Sequence, residues 1–393
     1  MKRTLLIATP LIIIAVSALL FSNFLSPALP EPTGPHAIGY QRLVIENSKS
    51  WVDVQAFYPA KEALGSQPQA MPADLAEQMS KSLGVPAAAM FDERALPAYT
   101  DAPVINEKLP VLIFNHGHGM FATQNSHNIL ELASHGYVVL TLSHPGHSLI
   151  SKNGDLTVLK EAHIASYEED EIQILLERQR LGNQQLRTSA NLVEWKKTMT
   201  SIQDEAFADI VDQFSVWIAN NQLVLDALPQ LASGEIHSAL KHALDLDKIG
   251  YFGHSFGGAV ATHMNMNEAP VKASFNLDGP VFTWSLVDNP QGQFCFAYGD
   301  TNNQAGVKTD YSWVNQQIAI TTGGCEQTFE GAAHMNFSDL NEITILKWFG
   351  QLGPVDGATM RKNLNQSLVS FFNQHLLQKG ESTNLVGTQL IQH

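Results

Sequence analysis

The chain has 393 residues, and its 23 Lys and Arg against 38 Asp and Glu give a formal net charge of -15 at pH 7. A nucleic-acid-binding protein needs a basic face to neutralise phosphates, so this acidic balance excludes nucleic acid as an expected partner. It also disfavours electrostatic attachment to an anionic membrane surface. The length suits one α/β domain with insertions, and the 44% hydrophobic content is that of an ordinary globular protein.

The first 30 residues differ in composition from the rest of the chain. Lys2 and Arg3 precede an uncharged, mainly apolar run over residues 5–21, and a proline-rich stretch follows. This pattern predicts an export segment. Its length lies between the core of a signal peptide and a full membrane span, so a cleaved signal and a retained anchor are both compatible with it. We therefore expect a periplasmic, secreted or membrane-anchored protein.

Strand signals begin after this segment. Alternating runs at residues 39–46 and 51–58 predict a β-hairpin. Short, continuous apolar runs then recur at residues 111–114, 137–142, 249–252, 273–277, 294–298 and 327–330. Such runs, separated mainly by helical patterns, predict a mostly parallel central sheet that is buried on both faces and flanked by helices. The predicted fold class is therefore α/β.

Other stretches carry helical spacing. An apolar stripe over residues 75–91 repeats every four residues through Leu75 and Met79, which is typical of a core-facing helix, with a lipid-facing rim as the alternative. Within one α/β domain over residues 36–380, helical patterns without a strand signal predict a helical insertion at about 155–230. A final helix is expected to close that domain, and residues 381–393 are expected to form a C-terminal tail.

The residues Gly253-His254-Ser255-Phe256-Gly257 lie where a predicted strand gives way to a predicted helix. A sharp strand-to-helix turn exposes its serine and leaves little room beside it, which the two glycines satisfy. The turn also places the serine at a helix N-terminus, where backbone N–H groups receive the negative charge that develops in acyl transfer. Ser255 is therefore the predicted nucleophile, with the N–H of Phe256 as an oxyanion donor. A glycine-rich turn with an incidental serine is the alternative interpretation.

An activated serine needs a base and a carboxylate, which follow it along the chain in this kind of fold. His334 lies in a loop just after the last predicted parallel strand and is the predicted base, since His375 lies in the final helix and His393 ends the chain. Asp278 and Asp300 each follow a predicted strand, and both meet the same edge of the sheet. The pattern leaves both open as the acid, with position slightly favouring Asp300.

The second oxyanion donor is expected in the glycine-containing loop after the strand at 111–114, where the N–H of His118 is the candidate. Several histidines near strand ends also raise the possibility of a zinc site. A catalytic zinc site needs three well-placed protein ligands, and no H-E-x-x-H spacing is present. We therefore expect neither a metal nor another cofactor at the histidines concerned, His116, His118, His144 and His147.

The two cysteines, Cys295 and Cys325, lie in consecutive predicted strands of a chain that is expected to leave the cytoplasm. A single disulfide is therefore permitted, and two buried free thiols are the alternative. Neither cysteine lies near the N-terminal segment, which excludes a lipid attached to an N-terminal cysteine.

Several ordered motifs together resemble the platelet-activating factor acetylhydrolase family of α/β-hydrolases. The likeness covers residues 36–378 and rests on "LPVLIFNHGHG", "LASHGYVVLTLSHPGHS", "KIGYFGHSFGGA", "SFNLDGPVF", "GAAHMNFSDL" and "GATMRKNLNQSLVSFFNQHL". It implies an α/β-hydrolase fold with Ser255 as nucleophile, His334 as base and Asp278, rather than Asp300, as acid. The implied oxyanion donors are the N–H groups of His118 and Phe256.

The resemblance also implies a serine carboxylic-ester hydrolase that acts on short or oxidised acyl chains of phospholipids without calcium. A broad-specificity short-chain carboxylesterase or lipase is the alternative, and a non-catalytic lipid-binding envelope protein is a remote one. Membrane association is expected through the N-terminal segment and the stripe at 75–91. Two departures from the family pattern, Gly279-Pro280 after the acid and the second histidine of the oxyanion loop, His118, are expected to alter the acyl pocket.

Overall fold

The structure is a computed structural model. It describes residues 30–83, 92–160, 191–206, 208–287, 290–300, 312–343, 347, 350–380 and 385–393. The export segment up to residue 29, the end of the apolar stripe at 84–91 and residues 161–190 of the expected insertion lie outside this part of the chain. Across the described ranges, no helix has both the length and the apolar character needed to cross a membrane.

The described strands form one ten-stranded sheet and two small hairpins. In chain order they are β1 Ala37–Glu46, β2 Trp51–Ala60, β3 Gln69–Met71, β4 Asp92–Ala95, β5 Tyr99–Thr100, β6 Leu109–Asn115, β7 Val138–Ser143, β8 Ile150–Asn153, β9 Leu156–Leu159, β10 Leu244–His254, β11 Val271–Leu277, β12 Gln293–Gly299, β13 Cys325–Phe329 and β14 Thr388–Gln392. The order across the large sheet is β14-β13-β12-β11-β10-β6-β7-β2-β1-β5.

Parallel pairing dominates the centre of this sheet. The six neighbouring strands from β13 to β7 run parallel, and β14 and β2 pair antiparallel with the two ends of that block. All six apolar runs found in the sequence belong to these parallel strands, and β1 and β2 form the predicted hairpin. The α/β prediction is therefore confirmed.

Helices cover both faces of the sheet. They are α1 Ala73–Leu83, α2 Ser126–Ser134, α3 Leu192–Ala206, α4 Ala208–Ser233, α5 Phe256–Asn267, α6 Ser312–Thr322 and α7 Gly357–Leu377. Side chains alternate along β6, so Val111 and Ile113 pack in one core with α4 and α5, whereas Leu112 and Phe114 pack in the other with α2 and α7. Burial on both faces explains why β6 appears in the sequence as a continuous apolar run.

Six of the described strands lie where the sequence indicated none, namely β3, β4, β5, β8, β9 and β14. Residues 156–159, assigned to the helical insertion, form β9 and pair antiparallel with β8. Residues 388–392, assigned to the C-terminal tail, form β14 and extend the sheet beside β13. All six unpredicted strands lie outside the parallel block, so they leave its strand order unchanged.

The apolar stripe on α1 faces the protein interior. Leu75 is 5% exposed and Met79 is 1% exposed, and both pack in a cluster with Phe121 and Leu340. The lipid-facing alternative is therefore wrong for these two residues. Burial of this kind is the ordinary fate of an apolar helix stripe in a globular protein.

The two cysteines form a disulfide. Cys295 of β12 and Cys325 of β13 are paired in register on adjacent parallel strands, and both are buried. The permitted cross-link is thus present, and no cysteine of the chain is free. It lies towards the start of both strands, away from the edge where β12 and β13 end.

Candidate active site

The nucleophile turn, which we call the elbow (residues 253–257), has the geometry expected of a sharp strand-to-helix reversal. β10 ends at His254 and α5 begins at Phe256, so Ser255 lies between them with φ 57° and ψ -119°. Positive φ is costly for a residue with a side chain and is maintained only where the surroundings enforce it. A Cβ atom on Gly253 would overlap the carbonyl oxygen of Gly257, which explains a small residue there.

The predicted base is hydrogen-bonded to the predicted acid. His334 lies in the loop after β13, which we call the base loop (residues 330–339), and its Nδ1 is 2.6 Å from Oδ2 of Asp278. A carboxylate only accepts, so Nδ1 of His334 carries the proton and Nε2 is the basic nitrogen of the neutral ring. Asp278 directly follows β11, and its own N–H donates to the carbonyl of Ala297 at 3.0 Å. Both side chains are partly exposed, as a site that admits substrate requires.

Asp300 has a different contact. Its Oδ1 accepts a hydrogen bond of 2.6 Å from the backbone N–H of Gly331, and the residue is exposed. This contact ties the end of β12 to the beginning of the base loop. The carboxylate that contacts His334 is therefore that of Asp278. The family resemblance implied this residue, whereas position along the chain slightly favoured Asp300.

The two residues that carry the candidate oxyanion donors contact each other through their side chains. We call residues 116–119, which follow β6, the oxyanion loop. The ring of His118 in this loop meets the ring of Phe256 edge to face, with centroids 5.6 Å apart. Nε2 of His118 is 2.6 Å from Oε1 of Gln213 on α4, which holds the loop against that helix. Phe256 is the first residue of α5, so its N–H is among the unsatisfied donors of a helix N-terminus.

The other strand-end histidines belong to a buried polar network. Nε2 of His116 is 2.6 Å from Oγ of Ser148, and Nε2 of His144 is 3.1 Å from Oδ1 of Asn115. Burial lowers the pKa of His116 to about 3 and that of His144 well below its ordinary value. Within the described ranges, no group of three or more His, Cys, Asp or Glu side chains is arranged to hold a metal ion.

Gly279 packs against the elbow. A Cβ atom on this residue would overlap the carbonyl oxygen of Ser255, and the N–H of Gly279 donates to Oδ1 of Asn276 at 2.8 Å. The space beside Gly279 is therefore filled by the elbow backbone. Glycine at position 279 permits this close packing, and the effect of Gly279-Pro280 on the acyl pocket stays a prediction.

Two polar residues that the sequence analysis did not assign also contact the site. Nδ1 of His254 is 2.8 Å from Nε2 of Gln124, and Nε2 of His254 is 3.0 Å from the carbonyl oxygen of His334. The place of His254 beside the nucleophile was a signal available in the sequence. Gln124 carried none, because it joins the site only through folding.

Comparisons with known proteins identify the family and the fold. A family model described as "Platelet-activating factor acetylhydrolase, isoform II" matches residues 22–386. Platelet-activating factor acetylhydrolase of Canis lupus familiaris is 24% identical, over 88% of this chain and 77% of its own, and that of Bos taurus is 25% identical, over 94% and 84%. A ferulic acid esterase from Streptomyces cinnamoneus shares the fold, with a TM-score of 0.64 at 17% identity over 93% of this chain and 99% of its own. The chain therefore belongs to the platelet-activating factor acetylhydrolase isoform II family and is a carboxylic ester hydrolase.

Proposed function

We propose that the protein hydrolyses the short or oxidised acyl ester of a phospholipid, with Ser255 as nucleophile, His334 as base and Asp278 as acid. The observation that carries the triad is the 2.6 Å hydrogen bond between Nδ1 of His334 and Oδ2 of Asp278, close to an elbow that presents a serine. Family membership supports the phospholipid ester as the substrate class.

In the proposed reaction, Nε2 of His334 takes the proton from Oγ of Ser255 as Oγ attacks the ester carbonyl. The N–H groups of His118 and Phe256 bind the oxyanion of the tetrahedral intermediate. Asp278 holds the His334 ring in the required tautomer and stabilises the imidazolium that forms. His334 then protonates the leaving alcohol, and water releases the acyl group from Ser255 by the same steps. Because side chains and backbone fill every role, we propose turnover without calcium.

The decisive experiment replaces Ser255 by alanine. We expect kcat on a short-chain ester to fall by about 10⁴-fold or more, because the nucleophile and base act as one unit. Wild-type protein should be labelled by an organophosphonate and Ser255→Ala should not, while both unfold at the same temperature. Retention of most activity by Ser255→Ala would refute the proposal, and lipid binding by a wild-type protein that resists labelling would favour a non-catalytic lipid-binding envelope protein.

The substrate class is tested with esters of graded acyl length, each with and without a phosphocholine head group. We expect the highest kcat/KM on short-acyl phosphocholine esters, with unchanged rates in excess EDTA. Equal rates on simple short-chain esters would instead identify a broad-specificity carboxylesterase or lipase. In either outcome the Ser255 result stands, since the triad and the head-group preference are measured separately.

We also propose that the protein acts outside the cytoplasm. The basic and apolar character of the N-terminal segment supports export, and a disulfide is stable in an oxidising compartment. Membrane association, where it occurs, is assigned to the N-terminal segment, because Leu75 and Met79 of the apolar stripe are buried. Fractionation of cells that express the full chain tests this, and recovery in the cytoplasmic fraction would contradict it.

A further inference from the structure

A chain of three hydrogen bonds passes through His254 of the elbow. The N–H of Gly117 in the oxyanion loop donates to Oε1 of Gln124 at 2.6 Å, and Nε2 of Gln124 lies 2.8 Å from Nδ1 of His254. Nε2 of His254 then lies 3.0 Å from the carbonyl oxygen of His334. Gln124 and His254 are each only 1% exposed. The oxyanion loop, the elbow and the base loop are thereby joined through two side chains.

One assignment of protons satisfies all three bonds. The carbonyl of His334 only accepts, so Nε2 of His254 donates; the N–H of Gly117 only donates, so Oε1 of Gln124 accepts. The amide nitrogen of Gln124 then donates to an unprotonated Nδ1 of His254. A flipped amide or a doubly protonated ring would place two donors against each other in a buried position.

His254 is accordingly neutral. Burial and the neighbouring His334 lower the pKa of His254 well below its ordinary value. The two imidazole rings are 4.6 Å apart, so a cation on His254 would oppose the imidazolium that His334 forms during the proposed reaction. The hydrogen bonds thus keep His254 uncharged beside His334, which becomes positively charged in the proposed reaction.

The far end of the base loop, residues 337–339, is held by Gln124 and its neighbour Asn125. The N–H of Asp339 donates to the carbonyl of Gln124 at 2.9 Å, and Nδ2 of Asn125 donates to the carbonyl of Phe337 at 2.6 Å. Residues 124 and 125 therefore fix residues 337–339 directly. The backbone of His334 itself is fixed through His254.

We infer that His254 and Gln124 are positioning residues. They hold the backbone of His334 and the oxyanion loop in a fixed position relative to each other and to the elbow. This inference rests on the proposed function, because both residues act through His334 and through the loop that supplies the His118 donor. A displacement of about 1 Å in such groups reduces turnover by about 100-fold. We expect the effect in kcat, because both side chains are buried and reach the reacting groups only through other residues.

The test compares His254→Phe, which keeps a planar ring but loses both hydrogen bonds, with His254→Gln, which keeps a donor of similar reach. We expect His254→Phe to lower kcat by about 10- to 100-fold with KM within about threefold of wild type, and His254→Gln to recover much of the loss. His375→Phe on α7, a half-buried histidine beside Phe371, is the matched control and should keep wild-type kinetics.

Gln124→Met breaks the same chain from its other end without altering the elbow, so it tests the inference even where His254→Phe fails to fold. We expect a similar fall in kcat. The double variant Gln124→Met/His254→Phe should lose no more activity than the more damaged single variant, because each substitution breaks the same connection. Near-wild-type kcat in folded Gln124→Met or His254→Phe would overturn the inference. If Ser255→Ala is inactive in the same assays, the proposed function survives that result; if Ser255→Ala is active, the proposed function fails instead.

Discussion

Two aspartates at neighbouring strand ends differ in what their carboxylates contact. Asp278 meets Nδ1 of His334, whereas Asp300 accepts from the N–H of Gly331. Strand-end position cannot separate them, because β11 and β12 are parallel neighbours whose carboxyl ends share one edge. The difference arises from a pairing between residues 56 positions apart, which only the folded chain displays.

Exchange of each carboxylate for an amide tests this difference. Asp278→Asn should lower kcat by about 10⁴-fold, because the amide favours the wrong tautomer of His334. Asp300→Asn keeps an oxygen that can accept from Gly331, so we expect kcat within about threefold of wild type, as for most exposed substitutions. Steady-state kinetics on one short-chain ester is the measurement. A larger loss in Asp300→Asn than in Asp278→Asn would reverse the assignment.

At the scale of elements, the sequence revealed the parts of the sheet that are buried on both faces. All seven residues of β6 are buried, and a continuous apolar run in the sequence is the direct consequence. β14 is half-exposed at the sheet edge, so its pattern carries little apolar signal. β8 and β9 are joined by the two-residue loop Gly154-Asp155, and a glycine followed by an aspartate is a hairpin signal that the sequence contains.

The disulfide links two elements of the parallel block at a distance from the edge that carries the candidate site. Cys325 is the first residue of β13, whereas His334 follows the other end of that strand. The bond closes a loop of 30 residues, for which the loss of chain entropy in the unfolded state predicts about 2–4 kcal/mol of stabilisation.

The double variant Cys295→Ala/Cys325→Ala should therefore lose about 2–4 kcal/mol in free energy of unfolding. Its kcat at 25 °C should stay close to wild type, since no catalytic side chain touches the bond. Urea unfolding with and without dithiothreitol is the measurement, and reduction should affect wild type but not the variant. Equal stability of the two proteins under oxidising conditions would show that strand pairing alone holds β12 against β13.

At the scale of the whole molecule, burial of several histidines makes stability depend on pH. Burial lowers the pKa of His116 to about 3 and that of His263 to about 4, and lowers those of His144 and His254 well below the ordinary value. These groups stay neutral in the folded protein but take up protons on unfolding below a pH of about 6.5. The free energy of unfolding is therefore highest above that pH and falls on acidification.

His263 offers a direct measurement of this effect. Its Nδ1 lies 3.1 Å from Oγ of Ser285, in the C-terminal half of α5, and glutamine can keep a polar contact there. Each such histidine contributes a slope of about 1.4 kcal/mol per pH unit between about 6.5 and its folded pKa. His263→Gln should therefore flatten the pH dependence of unfolding by about one proton between pH 6.5 and about 4. Urea unfolding at pH 8, 6 and 5 measures it, with the difference at pH 8 giving the packing cost alone; an unchanged slope in the variant would mean that His263 takes up no proton on unfolding.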